Sequence, residues 1–199
     1  SGRIAPRLRP HVMRYYAFAR ATDDIADDPV LSPEEKIRRL DAFETGLEPG
    51  ASAPATAVRL RDSLAETGVH DTVARDLLVA FRQDARQARY PDWAALMDYC
   101  RHSAHPVGRY LLHLHGEGAE TVPPGDALCA ALQVLNHLQD LGPDRARLDR
   151  VYLPRDWMAE AGIEASVLDA PASSRGLREV IDRCLDGCDA LLARSAPLA

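Results

Sequence analysis

Apolar residues recur at helical spacing along almost the whole chain, and no run alternates apolar and polar positions as a half-buried strand would. The pattern predicts an all-α fold, a single-domain helical bundle. A first helix runs from about Leu8 to Asp28, carries Val12, Tyr15, Tyr16, Phe18 and Ala19, and stops before Pro29. Ser32-Pro33-Glu34-Glu35 reads as an N-cap, a proline at the first helical position and a capping-box glutamate, opening a second helix through Ile37, Leu40 and Leu47. After a loop from Glu48 to Pro54, a third helix through Val58, Leu60 and Leu64 stops near Gly68. A fourth runs from about Asp71 to Ala88, and Tyr90-Pro91-Asp92 turns the chain into a fifth that begins near Trp93, with a kink at Pro106 and Gly108. Pro123-Pro124-Gly125 is read as a break before a sixth helix, whose leucine seam is Leu128, Leu132, Leu135 and Leu138 and which frays at Gly142-Pro143. A long polar connection, a short helix over Pro154 to Glu160 and a last helix capped by Ser173 or Ser174 complete the expectation.

Composition narrows the function. The chain has 199 residues, 46% hydrophobic and 27% charged, enough for one domain over 1–199 with a real core. Its net charge of −6 argues against sequence-independent nucleic-acid binding, which needs a basic surface to displace counterions. A phosphate-bearing ligand would need local help. Lys36 is the only lysine, so arginine supplies nearly all the positive charge, in the planar form that suits bidentate phosphate contacts; GC-rich coding explains the same bias equally well. The cysteines Cys100, Cys129, Cys184 and Cys188 show neither zinc-ligand spacing nor a disulfide framework, and Cys184 and Cys188 read as packing residues. A reducing cytoplasm is expected. No apolar run approaches the ~20 residues needed to cross a bilayer, which leaves room only for peripheral contact with the inner membrane face.

Two patches carry chemistry. Asp23 and Asp27 are four apart and share a helix face, with Asp24 and Asp28 as a second pair turned around the axis. Negative charge at a helix C-terminus opposes the macrodipole and invites a cation. Oxygen ligands alone favour magnesium, which takes a few carboxylates plus water and phosphate oxygens; a solvated acidic helix end accounts for the spacing equally well. Asn136 and Asp140 repeat the geometry, with Gln133 a turn earlier, and Asp140, set among leucines, is expected to be buried and to need a cation or an arginine. The plainer reading of that patch is an exposed polar strip. Facing each other across a bundle interior, the two patches would repel unless cations lay between them. The histidines have no zinc spacing; His102 and His105, three apart near the kink, suit polar contacts or proton transfer. Asp84, between Arg82 and Arg86, reads as a surface ion-pair partner.

The run from Tyr16 to Asp28, Tyr-Ala-Phe-Ala-Arg-Ala-Thr-Asp-Asp-Ile-Ala-Asp-Asp, resembles the first aspartate-rich motif of the squalene and phytoene synthase family. Gln133 to Asp140, followed by Asp149-Arg150-Val151-Tyr152-Leu153-Pro154, resembles the second motif and the segment after it. Tyr99 to Gly108 resembles the family's small, glycine-containing kink beside the substrate tunnel, and the wording Ser-Ala-His-Pro-Val-Gly and Asn-His-Leu-Gln-Asp is nearest to the hydroxysqualene synthases of hopanoid pathways. The resemblance implies an isoprenoid-synthase bundle with a central apolar cavity, incomplete at its N-terminus and lacking C-terminal helices. It implies magnesium (Mg2+) held by Asp23, Asp27, Asn136, Asp140 and Asp144. Diphosphate contacts would come from Tyr16, Arg20, Gln133, Arg150 and Tyr152, with His102, His105, Val107 and Gly108 along the tunnel. Gly142-Pro143 puts the shared facing of Asp140 and Asp144 in question.

The implied reaction is ionisation of presqualene diphosphate, rearrangement and capture by water, with functional coupling to an enzyme that makes presqualene diphosphate. No nicotinamide-binding glycine fingerprint speaks for a built-in reduction. Two alternatives stand beside it: a relative that condenses two allylic diphosphates to presqualene diphosphate, squalene or phytoene, and a non-catalytic isoprenoid-binding or assembly protein.

Overall fold

The computed structural model describes residues 4–198, and their elements are helical, as the periodicity predicts. In order they are α1 (Arg9–Ala26), α2 (Pro33–Gly46), α3 (Ala55–Thr67), α4 (Thr72–Asp84), α5 (Trp93–Ser103), α6 (His105–His115), α7 (Val122–Gln139), α8 (Leu141–Leu148), α9 (Arg155–Glu160) and α10 (Arg175–Ser195). Among the described residues no strand forms, and an isolated parallel bridge pairs Arg89 with Val151. None of these helices is long and apolar enough to cross a membrane.

Two compact units make up the chain, one from residues 4–86 and 106–119, the other from 87–105 and 120–198. In the first, α1 to α4 and most of α6 enclose a core in which Phe18, Leu40, Leu60 and Leu78 have no exposure. Tyr15 and Tyr110 stack with centroids 4.0 Å apart, and the Tyr15 hydroxyl donates to the Val73 carbonyl at 2.9 Å, so this buried phenol keeps a partner. Helix ends follow local chemistry: Ser32 Oγ accepts from the Glu35 amide, and Gly68 closes α3 at φ 72°, where a side chain would be strained.

In the second unit α7 packs on α10 through small residues. The buried face of α7 is Ala127, Ala130, Ala131, Val134 and His137, and that of α10 is Leu177, Val180, Cys184, Cys188 and Leu191. The expected leucine seam is therefore corrected, since Leu132 is half exposed while the alanines let the two backbones close together. The Cys184 and Cys188 packing role holds: both are buried, and the Cys188 thiol lies 3.8 Å from the Ala131 carbonyl. Trp93 stacks on Trp157 and also covers Gly187, where an added Cβ would lie 2.5 Å from the indole ring.

Other boundaries differ from the expectation. Helix α4 ends at Asp84 rather than Ala88, and the long helix from Trp93 breaks at Ala104, just before Pro106, into α5 and α6. Pro123, Pro124 and Gly125 lie inside the first turn of α7, and Gly142-Pro143 inside that of α8, where a missing amide proton costs nothing. The expected polar connection is thus helix α8 over most of its first part.

Candidate active site

The aspartate-rich end of α1 lies in the first unit. Asp23 and Asp27 stay one turn apart, with the Asp27 amide donating to the Asp23 carbonyl at 2.9 Å, although the helix ends at Ala26 and Asp27 is its C-cap. The second pair does not form. Asp24 turns to Arg20 (2.7 Å), while Asp28, outside the helix, accepts from the Val30 amide at 2.8 Å. Arg20 also reaches Asp23 at 3.5 Å, with both side chains well exposed, and Tyr16 is exposed as well. A cation does meet the dipole at this end: Lys36 Nζ donates to the Ala26 carbonyl at 2.7 Å. Sequence reasoning noticed this lysine only for its rarity.

The second motif lies in the other unit. Asn136 and Asp140 are exposed and Gln133 is half-buried. The expectation of a buried Asp140 is corrected, because the turn of α7 that faces its unit carries Ala130, Val134 and His137 instead. Asp140 is at once the C-cap of α7 and the N-cap of α8, and the Asp144 amide donates to its carbonyl at 2.8 Å. Across Gly142-Pro143 the two acids therefore remain a helical turn apart, which answers the question the proline raised.

Arg150 and Tyr152 follow Asp149, which ends α8 in the left-handed region at φ 51°. Both are buried, and Arg150 Nη1 donates to the Tyr152 hydroxyl at 3.3 Å. Around them lies a ring cluster that sequence reasoning missed. The His137 ring stacks on Tyr152 with centroids 3.5 Å apart and an interplanar angle of 10°, Tyr90 stacks on the same tyrosine at 5.5 Å, and Tyr99 lies 5.9 Å from it. Burial drives the His137 imidazole down to about 3, with the Arg150 charge a smaller cause, so it is neutral at ordinary pH. Its position ten residues after Ala127 and three after Val134 was the available signal.

The segment is also tied to the chain before α5. The Val151 amide donates to Ala88 at 2.9 Å, Arg89 pairs with Asp149 at 2.7 Å, and Arg145 contacts the same carboxylate. At the α5–α6 break, His102 leans on the Asp98 carbonyl of its own helix (3.2 Å), while His105 lies 3.4 Å from Asp126. Val107 is partly exposed and Gly108 half-buried. Asp84 closes α4 beside Arg82, which binds Asp41 and Glu44.

Among the described residues no three metal-ligating side chains converge. Magnesium does not require that, since it is commonly held by one or two carboxylates with water and substrate phosphate completing the shell. A pair of acids one turn apart at each of two helix ends fits that donor set.

The squalene/phytoene synthase family model matches residues 2–199. The chain belongs to the squalene/phytoene synthase family. Family members process isoprenoids and in general use divalent metal ions. The chain is 44% identical to the hydroxysqualene synthase of Sinorhizobium fredii, covering 96% of this chain and 68% of the relative, and 43% identical to that of Rhodopseudomonas palustris, covering 98% and 67%. It thus spans about two thirds of the length of these relatives. Among solved structures, the squalene synthase HpnC from Alicyclobacillus acidocaldarius matches with a TM-score of 0.87 at 33% identity, over 98% of this chain and 74% of that one. A dehydrosqualene synthase in complex with ligand matches at 0.79 and 25% identity, over 96% and 68%.

Proposed function

We propose that this family member is a hydroxysqualene synthase, ionising presqualene diphosphate and returning hydroxysqualene and pyrophosphate. The reading is carried by the 42–44% identity to hydroxysqualene synthases across 96–98% of the chain. In it, Asp23, Asp27, Asn136, Asp140 and Asp144 are the residues that would hold the magnesium ions of the diphosphate. Bound magnesium supplies charge compensation as the pyrophosphate departs.

The chain's own residues do the rest. Arg20 exchanges its exposed aspartate partners for phosphate oxygens, and Tyr16 and Gln133 add hydrogen bonds. Arg150, buried and held by Tyr152, offers a fixed cationic donor that needs no reorganisation as charge develops. The carbon–oxygen bond to the diphosphate breaks with its electron pair leaving on oxygen, and the resulting cyclopropylcarbinyl cation rearranges. A water oxygen then bonds to the cation, and its proton passes to the departing pyrophosphate. Val107 and Gly108, with no nucleophilic group on their side chains, and His102 and His105, held by Asp98 and Asp126, belong to the tunnel beside the reacting chain, where stray water must be excluded. The chain is read as part of one catalytic domain, and the enzyme depends on a second activity that joins two farnesyl diphosphates. We place it in the cytoplasm, in peripheral contact with the inner membrane face.

The test is direct. Purified protein is given presqualene diphosphate or farnesyl diphosphate with magnesium, and the lipid product is identified. Hydroxysqualene from presqualene diphosphate is expected; consumption of farnesyl diphosphate alone would overturn the assignment in favour of a condensing synthase. Absence of magnesium-dependent pyrophosphate release from presqualene diphosphate and from every allylic diphosphate would favour a non-catalytic binding protein.

A further inference from the structure

The ring cluster of the second unit has a member that the mechanism leaves unused. His137 sits on α7 between Asn136 and Asp140, turned about 100° around the helix from Asn136 and about 60° from Asp140, and it is buried where they are exposed. It lies flat on Tyr152, 3.5 Å between centroids, and the Tyr152 hydroxyl in turn accepts from Arg150 Nη1. Its Nε2 is buried without a hydrogen-bond partner among the described residues. An apolar ring would avoid that cost, which for a buried polar atom is about 1–3 kcal/mol, so the site calls for an explanation.

We propose that His137 is a positioning residue that sets the register between the ligand-bearing face of α7 and the Arg150–Tyr152 pair. The proposal rests on the function proposed above. Helix α7 and the segment after Asp149 are joined through α8, whose left-handed end at Asp149 fixes the direction of the chain but not the rotation of the rings that follow. Besides Tyr99, these contacts bear on that rotation. The Val151 amide is tied to Ala88, Tyr90 covers one part of the Tyr152 ring, and His137 stacks on the ring from α7 itself. Of these, the His137 stack alone comes from the helix that carries Asn136 and Asp140. A shift of Tyr152 moves the acceptor of Arg150, and a guanidinium displaced by about 1 Å from a diphosphate loses much of its value, since misplacement on that scale can cost on the order of a hundredfold in rate.

The geometry distinguishes flatness from polarity. His137→Phe keeps a flat ring and removes the unpartnered nitrogen; His137→Leu keeps bulk and removes the stack. Binding of inorganic pyrophosphate with magnesium is measured by calorimetry, alongside KM and kcat on presqualene diphosphate and far-ultraviolet circular dichroism. The expected result is that His137→Leu binds pyrophosphate about tenfold more weakly and lowers kcat by about tenfold or more, while His137→Phe stays within about threefold of the unaltered protein in both. A folded His137→Leu that binds pyrophosphate normally overturns the proposal. So does His137→Phe losing tenfold or more, which decides the matter even if the leucine variant does not fold. If the unaltered protein neither binds pyrophosphate nor releases it from presqualene diphosphate, the functional reading falls and takes this proposal with it; normal activity with an unaffected leucine variant removes the proposal alone.

Discussion

At the end of α1 the acidic side chains are exposed or half-exposed and lean on near neighbours: Arg20 for Asp23 and Asp24, the Val30 amide for Asp28, and Lys36 on the last carbonyl. Arg150 and Tyr152, by contrast, are buried; Val151 between them is tied to Ala88, and the Tyr152 ring meets Tyr90, Tyr99 and His137, all from other parts of the chain. The two regions would serve the same leaving group in different ways. Exposed carboxylates exchange partners readily and can accept a metal that arrives with its substrate. A buried arginine keeps its direction whether or not a ligand is present, and its surroundings bear the cost of holding it. One region is therefore expected to tolerate substitution in folding and fail in chemistry, and the other to fail in both.

The largest effect should come from the acids. Asp27→Ala or Asp140→Ala is expected to lower turnover on the order of a thousandfold while leaving the circular dichroism unchanged, because neither carboxylate is buried in the core. Near-normal turnover by either variant removes that residue from the metal shell. Next, Tyr152→Leu should cost about 3 kcal/mol in urea unfolding, through lost ring burial and stacking, whereas Tyr16→Leu should cost less than about 0.5 kcal/mol. Equal costs would erase the contrast between the regions.

Much of the exposed region was legible in the sequence. The Asp23/Asp27 spacing, the Ser32 cap and the Gly68 stop depend on residues within one helical turn, and the structure keeps each of them. Proline misled where position mattered more than identity: Pro123, Pro124 and Pro143 read as breaks but sit in first turns. Leucine misled for a different reason. Hydrophobicity favoured Leu128, Leu132, Leu135 and Leu138 as the buried seam, whereas close approach of α7 to α10 selects alanine and cysteine. The burial of Arg150 and the stack on His137 depend on partners fifteen or more positions away, which no local spacing encodes.

Smaller effects sharpen the comparison. Lys36→Met should destabilise the protein by about 1 kcal/mol, since it removes the charged donor at the α1 C-terminus; an unchanged urea midpoint would show that the acidic end needs no cation from the chain. Part of the alkaline pH dependence should come from buried thiols of the second unit. Burial pushes Cys100 and Cys184 from 9.0 up to about 12, so between those values the unfolded chain ionises while the folded one does not. Stability is then complete below about pH 9 and declines as pH rises toward about 12. Replacing Cys184 by alanine should flatten part of that decline in urea titrations; an unaltered slope would mean that its thiol ionises as readily in the folded state.

Both aspartate-bearing motifs are proposed to serve the diphosphate. A crystal structure of the protein with magnesium and pyrophosphate tests this most directly. It should show metal-bound pyrophosphate coordinated by Asp23 or Asp27 from α1 together with Asn136 or Asp140 from α7, with Arg150 within hydrogen-bond distance of a phosphate oxygen. Pyrophosphate bound to one motif alone, with the other turned to solvent, would contradict it.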